Sequence, residues 1–189
     1  DRSREVRWKQ QGNTYSDIAN MGGGIVSTVN STKSLSERDL FVIAKNRLMK
    51  SLRNGTTHVE TKSGYGLDSI TEIKLLKVAK QLSEDNDTPS VDSTWLGAHA
   101  IPDKHTLESY TEEIISDQLP LVAETQLARS ADVFCEPGWF GIDESEQILE
   151  AAKSYGMNLR MHIDEFSDGN GGELAAKLKV DTADHSHYT

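Results

Sequence analysis

Short apolar runs alternate with longer segments of helical periodicity along most of this chain. Five runs rich in Val, Thr or aromatic residues, each bounded by Gly, Asn, Asp or Pro, predict strands. These strands are predicted at 56–63, 91–100, 131–136, 158–164 and 180–186. Apolar residues at helical spacing, with polar caps in front and glycines behind, predict helices over 36–55, 68–86, 143–156 and 171–179.

Regular alternation of strand and helix indicates parallel strands joined by right-handed crossovers. An open doubly wound sheet and a closed (β/α)8 barrel both satisfy it. An open sheet binds its ligand at one switch point, whereas a barrel carries its chemistry at the ends of successive strands. Polar residues follow one predicted strand after another here, namely Lys62 and Tyr65, His99, Glu136, His162 and Glu165, and His185. The pattern therefore favours a partial TIM-like (β/α)8 barrel with about five parallel strands.

Composition narrows the class of protein. The chain has 189 residues, which suits a single segment of one domain over 1–189, and both of its ends look cut. A formal net charge of -10 argues against a nucleic-acid partner, and no apolar stretch approaches the length of a membrane span. The charged start, DRSREVRWKQQGN, predicts a loop and not a signal peptide. The one cysteine, Cys135, favours a reducing cytoplasm and a buried position in the core.

The stretch LRMHIDEF joins a histidine and two carboxylates to the end of a strand. A neutral imidazole suits zinc or iron, and such a metal supplies hydroxide near neutral pH. Glu165, three residues after His162, is placed to exchange protons there. The plain alternative is a partly buried histidine that the backbone satisfies. Lys62 is also open to several interpretations, as a Schiff-base nucleophile, a carboxylated metal bridge or an ion-paired lysine at the rim.

Five phrases resemble, in order along the chain, the imidazolonepropionase family of the amidohydrolase superfamily. They are VETKSGYGLD (59–68), STWLGAHAIP (93–102), ADVFCE (131–136), MHIDEFSDGNGGELAA (161–176) and TADHSHYT (182–189). The stretch 1–25 resembles the one that follows the first metal-binding strand of that family. KSGYGLD, LGAHAIP and the histidine-carboxylate phrase are specific together, although each alone would be weak.

The resemblance implies an enzyme of histidine degradation that hydrolyses 4-imidazolone-5-propanoate to N-formimidoyl-L-glutamate with metal-activated water. It implies one divalent metal, zinc or iron, with a ligand at His162. It places Glu165 and His185 in the catalytic centre, and it implies substrate contacts from Arg2, Tyr15, Tyr65, His99 and Glu165. Arg4 replaces Arg2 if the register slips by two residues, and Lys62 becomes a rim residue.

The resemblance also sets limits. The family's other metal ligands, a His-x-His pair and a later aspartate, are expected before Asp1 and beyond Thr189, so the segment alone is predicted to be inactive. The expected partner is a small-molecule substrate, with no nucleic acid and no membrane, and a homodimer is allowed. Two alternatives stay open: another cyclic amidohydrolase or deaminase, and a non-catalytic α/β binding module whose histidines are structural.

Overall fold

The fold is built on one sheet of five parallel strands. The computed structural model describes residues 2–14, 17–18 and 21–189. The strands are β1 (His58–Lys62), β2 (Ser90–Ala98), β3 (Ser130–Cys135), β4 (Asn158–Ile163) and β5 (Thr182–His185). They pair in chain order, β1-β2-β3-β4-β5, and every pairing is parallel. The sheet curls into half of a barrel, which confirms the prediction of a partial TIM-like fold.

The predicted helices are confirmed within three residues at each end. They are α3 (Glu37–Arg53), α4 (Ser69–Ser83), α7 (Ile142–Ser154) and α8 (Gly171–Leu178). Two begin at side-chain caps, because Ser36 accepts the backbone N–H of Asp39 and Asp68 accepts that of Thr71. No helix in the part of the chain that the structure describes is long and apolar enough to cross a membrane.

Other helices were not predicted. They are α1 (Ser3–Gln10), α2 (Gly24–Ser34), and a continuous run of α5 (Leu107–Glu113), a π-helical turn (Ile114–Gln118) and α6 (Leu119–Thr125). The loop predicted for the charged start is therefore wrong. Glu5 in the first turn and Lys9 in the last suit the dipole of α1. The buried Glu5 carboxylate also accepts the N–H of Gly24, which joins α1 to α2 through a contact that local sequence patterns do not reveal.

The two faces of the sheet differ in polarity. Along β4, Leu159, Met161 and Ile163 are buried and belong to the main hydrophobic core. Arg160 and His162 alternate with them and are only partly buried. Since successive strand residues point to opposite faces, the apolar set packs towards the helices and the polar set lines the concave side.

Candidate active site

A cavity of about 290 Å³ opens where the strands end. Six of the predicted site residues line it: Arg2, Tyr65, His99, His162, Glu165 and His185. Tyr15, also predicted, lies outside the described residues. Sequence reasoning missed Phe134, whose ring lies 6.0 Å from those of both His99 and His162, and Phe166, which also lines the cavity. The structure thus brings together residues that are as far apart in sequence as 2 and 185.

His162 is oriented by a buried carboxylate. Its Nδ1 lies 3.0 Å from Oδ1 of Asp132, whose side chain is inaccessible to solvent. Burial alone would raise the pKa of Asp132, but the hydrogen bond from His162 and the charge of Lys62 hold it below its ordinary value. Because an ionised carboxylate only accepts, Nδ1 carries the donated proton, and Nε2 is the nitrogen that can bind a metal. This carboxylate–imidazole pair is the usual support of a metal-binding histidine, so His162 fits a divalent metal.

Glu165 and His185 meet beside His162. Oε2 of Glu165 lies 3.5 Å from Nε2 of His185, and the rings of His185 and His162 are 5.4 Å apart. Glu165 belongs to the loop after β4, and His185 is the last residue of β5. A carboxylate and two imidazoles are therefore within reach of one small ligand.

Glu136 fixes the loop that carries Glu165. Its side chain is 1 % exposed and accepts backbone N–H groups of Glu165, Phe166 and Ser167 at 3.0–3.1 Å, together with the Ser167 hydroxyl at 3.1 Å. Sequence reasoning placed Glu136 at a strand end but gave it no role. The available signal was a carboxylate that directly follows the mainly apolar strand ADVFC, where a buried position would demand a set of donors.

We expect Glu136→Gln to loosen this loop. An amide has one acceptor oxygen where the carboxylate has two, so buried N–H groups lose their partners at a cost of about 1.5–3 kcal/mol in the free energy of unfolding. Hydrogen exchange should then accelerate at residues 165–167, as measured by mass spectrometry on the chain itself. The exposed Glu124, changed to Gln, is the control. Unchanged protection of 165–167 in Glu136→Gln would show that other contacts hold the loop.

A second buried glutamate holds the turn that carries Tyr65. Glu72, on α4, is fully buried and accepts the N–H groups of Gly64, Gly66 and Leu67 at 2.6–3.0 Å. Gly64 has a φ of +79°, and a Cβ there would lie 2.9 Å from Nδ1 of His99. A glycine is therefore needed for both the backbone conformation and the close approach.

His99 is a neutral histidine in this arrangement. Its Nδ1 donates to the carbonyl of Gly64 at 2.8 Å, and its ring meets that of Tyr65 edge-on at 5.1 Å. Burial lowers the pKa of His99 below its ordinary value. Since Nδ1 holds the proton of the neutral ring, Nε2 is a hydrogen-bond acceptor.

Arg2 reaches the cavity from α1 with part of its guanidinium unused. Nε donates to the hydroxyl of Thr28 at 3.0 Å, and Oε1 of Glu5 lies 3.9 Å away. Nη2 is buried without a hydrogen-bond partner among the described residues. Arg4, the competitor for this position, is exposed and lies over the ring of Trp8 at 5.5 Å.

At the base of the cavity, which Lys62 also lines, the concave face carries charges in place of the branched aliphatic side chains common inside barrels. Nζ of Lys62 lies 2.6 Å from Asp132, 3.0 Å from Asp184 and 3.2 Å from Glu60. Burial alone would lower the pKa of Lys62, but these carboxylates, Asp132 foremost, raise it. Of the interpretations left open by the sequence, the ion-paired lysine agrees with this geometry, because a lysine held protonated is a poor nucleophile.

Comparison with known proteins finds relatives that match nearly the whole chain. No family model matches the chain. The imidazolonepropionase of Shewanella woodyi is 42% identical over 190 residues, which cover all of this chain and 46% of that protein. That of Clostridium tetani is 45% identical over 186 residues, covering 97% of this chain and 44% of the relative. The chain matches a segment of imidazolonepropionase. It spans about half the length of the curated relatives that it matches.

The match confirms the resemblance to imidazolonepropionase that the five phrases carry in the sequence. The imidazolonepropionase of Shewanella amazonensis, 41% identical over 194 residues, likewise matches all of this chain and 47% of its own length. All five phrases therefore lie within the region shared with these relatives.

Proposed function

We propose that this chain is a segment of an imidazolonepropionase that hydrolyses 4-imidazolone-5-propanoate to N-formimidoyl-L-glutamate in histidine degradation. One observation carries the proposal. Six residues that the family resemblance singles out line one cavity, although they come from the residue before α1, the segments that follow β1, β2 and β4, and the strands β4 and β5. The cavity offers a cation for the propanoate carboxylate and imidazole and phenol groups for a polar ring. It also offers a carboxylate that can transfer protons.

The proposal includes one divalent metal, zinc or iron, with Nε2 of His162 as the ligand atom from this chain. Asp132 would keep the imidazole in the tautomer that presents this lone pair. A metal held there, with its other ligands outside this chain, supplies activated water for attack on a carbonyl carbon. A cytoplasmic location and a homodimer stay predictions beside it.

The remaining roles belong to side chains of this segment. Glu165 accepts a proton from the attacking water and returns it to the ring nitrogen that leaves. His185, 3.5 Å from Glu165, donates to the oxyanion that develops on the carbonyl oxygen. Nε2 of His99 accepts a ring N–H of the substrate, and Tyr65 packs beside it. Arg2 pairs with the propanoate carboxylate through the edge that includes Nη2.

We expect Arg2→Lys to weaken substrate binding in the enzyme that contains this segment. Lysine keeps the charge but loses the paired donors of the guanidinium. Loss of a charge-assisted hydrogen bond costs about 1.5–3 kcal/mol, or roughly tenfold to a hundredfold in affinity. We expect equal contact in the ground and transition states, because the propanoate is not the reacting group, so steady-state kinetics should show a higher KM at unchanged kcat.

Arg4→Lys is the matched control, because Arg4 lies on Trp8 away from the cavity. Its KM should equal that of the unmodified enzyme. A change with Arg4→Lys and none with Arg2→Lys would mean that the register of the first segment is wrong by two residues.

The function itself is tested in an enzyme long enough to supply the other metal ligands. The expected result is conversion of 4-imidazolone-5-propanoate to N-formimidoyl-L-glutamate, followed by mass spectrometry, and loss of that conversion after chelation. Residues 1–189 alone should be inactive. Turnover of another cyclic amide with none of this substrate would instead assign a sister amidohydrolase, and no turnover with intact metal would favour a binding module.

A further inference from the structure

The polar side chains at the base of the cavity include a group with the composition of a metal site. One ligand atom each from Asp132, His162 and Asp184 lies within 4.8 Å of the others. Glu60 brings a further carboxylate, 3.2 Å from the ammonium of Lys62. We define the Lys62 cluster as Glu60, Lys62, Asp132 and Asp184. Carboxylate and imidazole together suit divalent cations such as Mn²⁺.

The centre of this cluster is filled by the ammonium of Lys62. An ammonium has three N–H donors, and three carboxylates surround Nζ at distances of 2.6, 3.0 and 3.2 Å. They come from β1, β3 and β5, so the lysine joins strands that are not neighbours in the sheet. A metal bound by the same oxygens would need distances of about 2.0–2.6 Å, which leave no space for Nζ.

The three carboxylates of the Lys62 cluster carry negative charge that a cation between them stabilises. Asp132 is inaccessible to solvent, and the side chains of Glu60 and Asp184 are 24% and 38% exposed. The neighbouring Arg160 is engaged by Asp92 at 3.2 Å, while its Nε lies 3.2 Å from Glu60 without the alignment of a hydrogen bond. Without Lys62, Asp132 would keep its hydrogen bond with His162 but would face two other carboxylates without their shared cation, an arrangement that favours the entry of another cation.

We propose that Lys62 acts as a built-in cation that excludes divalent metal from the carboxylates of this cluster. Replacing Lys62 by a neutral residue converts Glu60, Asp132 and Asp184 into a divalent-cation site. The inference concerns the empty protein and does not rest on the proposed reaction.

This proposal is tested by titrating the chain of residues 1–189 with Mn²⁺. Binding is measured as the loss of the EPR signal of free Mn²⁺. Lys62→Met should bind one Mn²⁺ at least about tenfold more tightly than the unmodified chain, and Mn²⁺ should raise its Tm while leaving that of the unmodified chain unchanged. Adding Asp184→Asn to Lys62→Met should abolish the gain. Lys177→Met is the control, because Lys177 pairs with Glu146 at the surface.

Lys62→Gln is a second variant in case Lys62→Met does not fold. The glutamine amide has N–H groups that can donate to Asp132, which the methionine side chain lacks. Lys62→Gln should show the same gain in Mn²⁺ affinity. If both variants are unfolded without metal, recovery of near-ultraviolet circular dichroism on adding Mn²⁺ supports the proposal, and no recovery overturns it. Equal affinity for Mn²⁺ in the unmodified chain and in folded Lys62 variants also overturns it. None of these measurements involves substrate, so their failure leaves the proposed hydrolysis standing.

Discussion

We expect His162→Ala to remove metal and activity together from the enzyme that contains this segment. The substitution deletes Nε2, the one donor atom that this chain is proposed to give the metal. Loss of a supporting partner of a metal ligand already costs about 10–100-fold in metal affinity, so loss of the ligand itself should exceed the upper end of that range. Metal content by mass spectrometry, measured beside the steady-state rate, checks both effects.

Two further variants separate this effect from damage to the fold. His58→Ala removes an exposed histidine whose ring contacts the Ser90 hydroxyl at the start of β1, the opposite end of the strand from the cavity, and should keep full metal and activity. Asp132→Asn keeps the shape next to His162 but weakens the acceptor, so metal affinity should fall by about 10–100-fold. Stoichiometric metal in folded His162→Ala enzyme would remove His162 from the ligand set.

The strand and helix pattern was predictable because its signals are local. Short runs rich in Val, Thr or aromatic residues marked all five strands, and Ser36 and Asp68 marked two helix starts by hydrogen bonds that span only three residues. The prediction was wrong where contacts between residues distant in sequence determine the local structure. The charged start was predicted as a loop. In the structure it forms α1, and the Glu5 carboxylate accepts the backbone N–H of Gly24, which lies 19 residues later in the chain. The charged sequence at the start of the chain does not reveal this hydrogen bond, because Gly24 comes close to Glu5 only in the folded structure.

The candidate site shows the same division. His99, His162 and His185 were identifiable because each closes a strand, and parallel strands end on one side. Glu136 and Glu72 were given no role, since their importance lies in backbone N–H groups of loops that sequence patterns do not describe. Lys62 was placed correctly at a strand end. Its partner Asp132 is 70 residues away, so its ion pairs could not be read from spacing.

Glu165→Gln is expected to leave metal in place and to slow turnover. Glutamine keeps the size and shape of the side chain but cannot exchange a proton at working pH. General acid–base catalysis typically contributes about 10²–10⁴-fold, so kcat should fall by that factor while the metal content stays stoichiometric. The loop should keep its structure, because Glu136 holds it through backbone N–H groups that the substitution does not alter.

Asp168→Asn, an exposed carboxylate in the same loop, is the matched control and should leave kcat unchanged. The pair of variants also distinguishes Glu165 from His185. If His185 supplied the essential proton transfer, Glu165→Gln would slow turnover only slightly, while His185→Ala would carry the whole loss. A large fall in both single variants, with no further fall in the double variant, would show that the carboxylate and imidazole, 3.5 Å apart, act as one unit. Undiminished turnover in Glu165→Gln would remove the residue from proton transfer altogether.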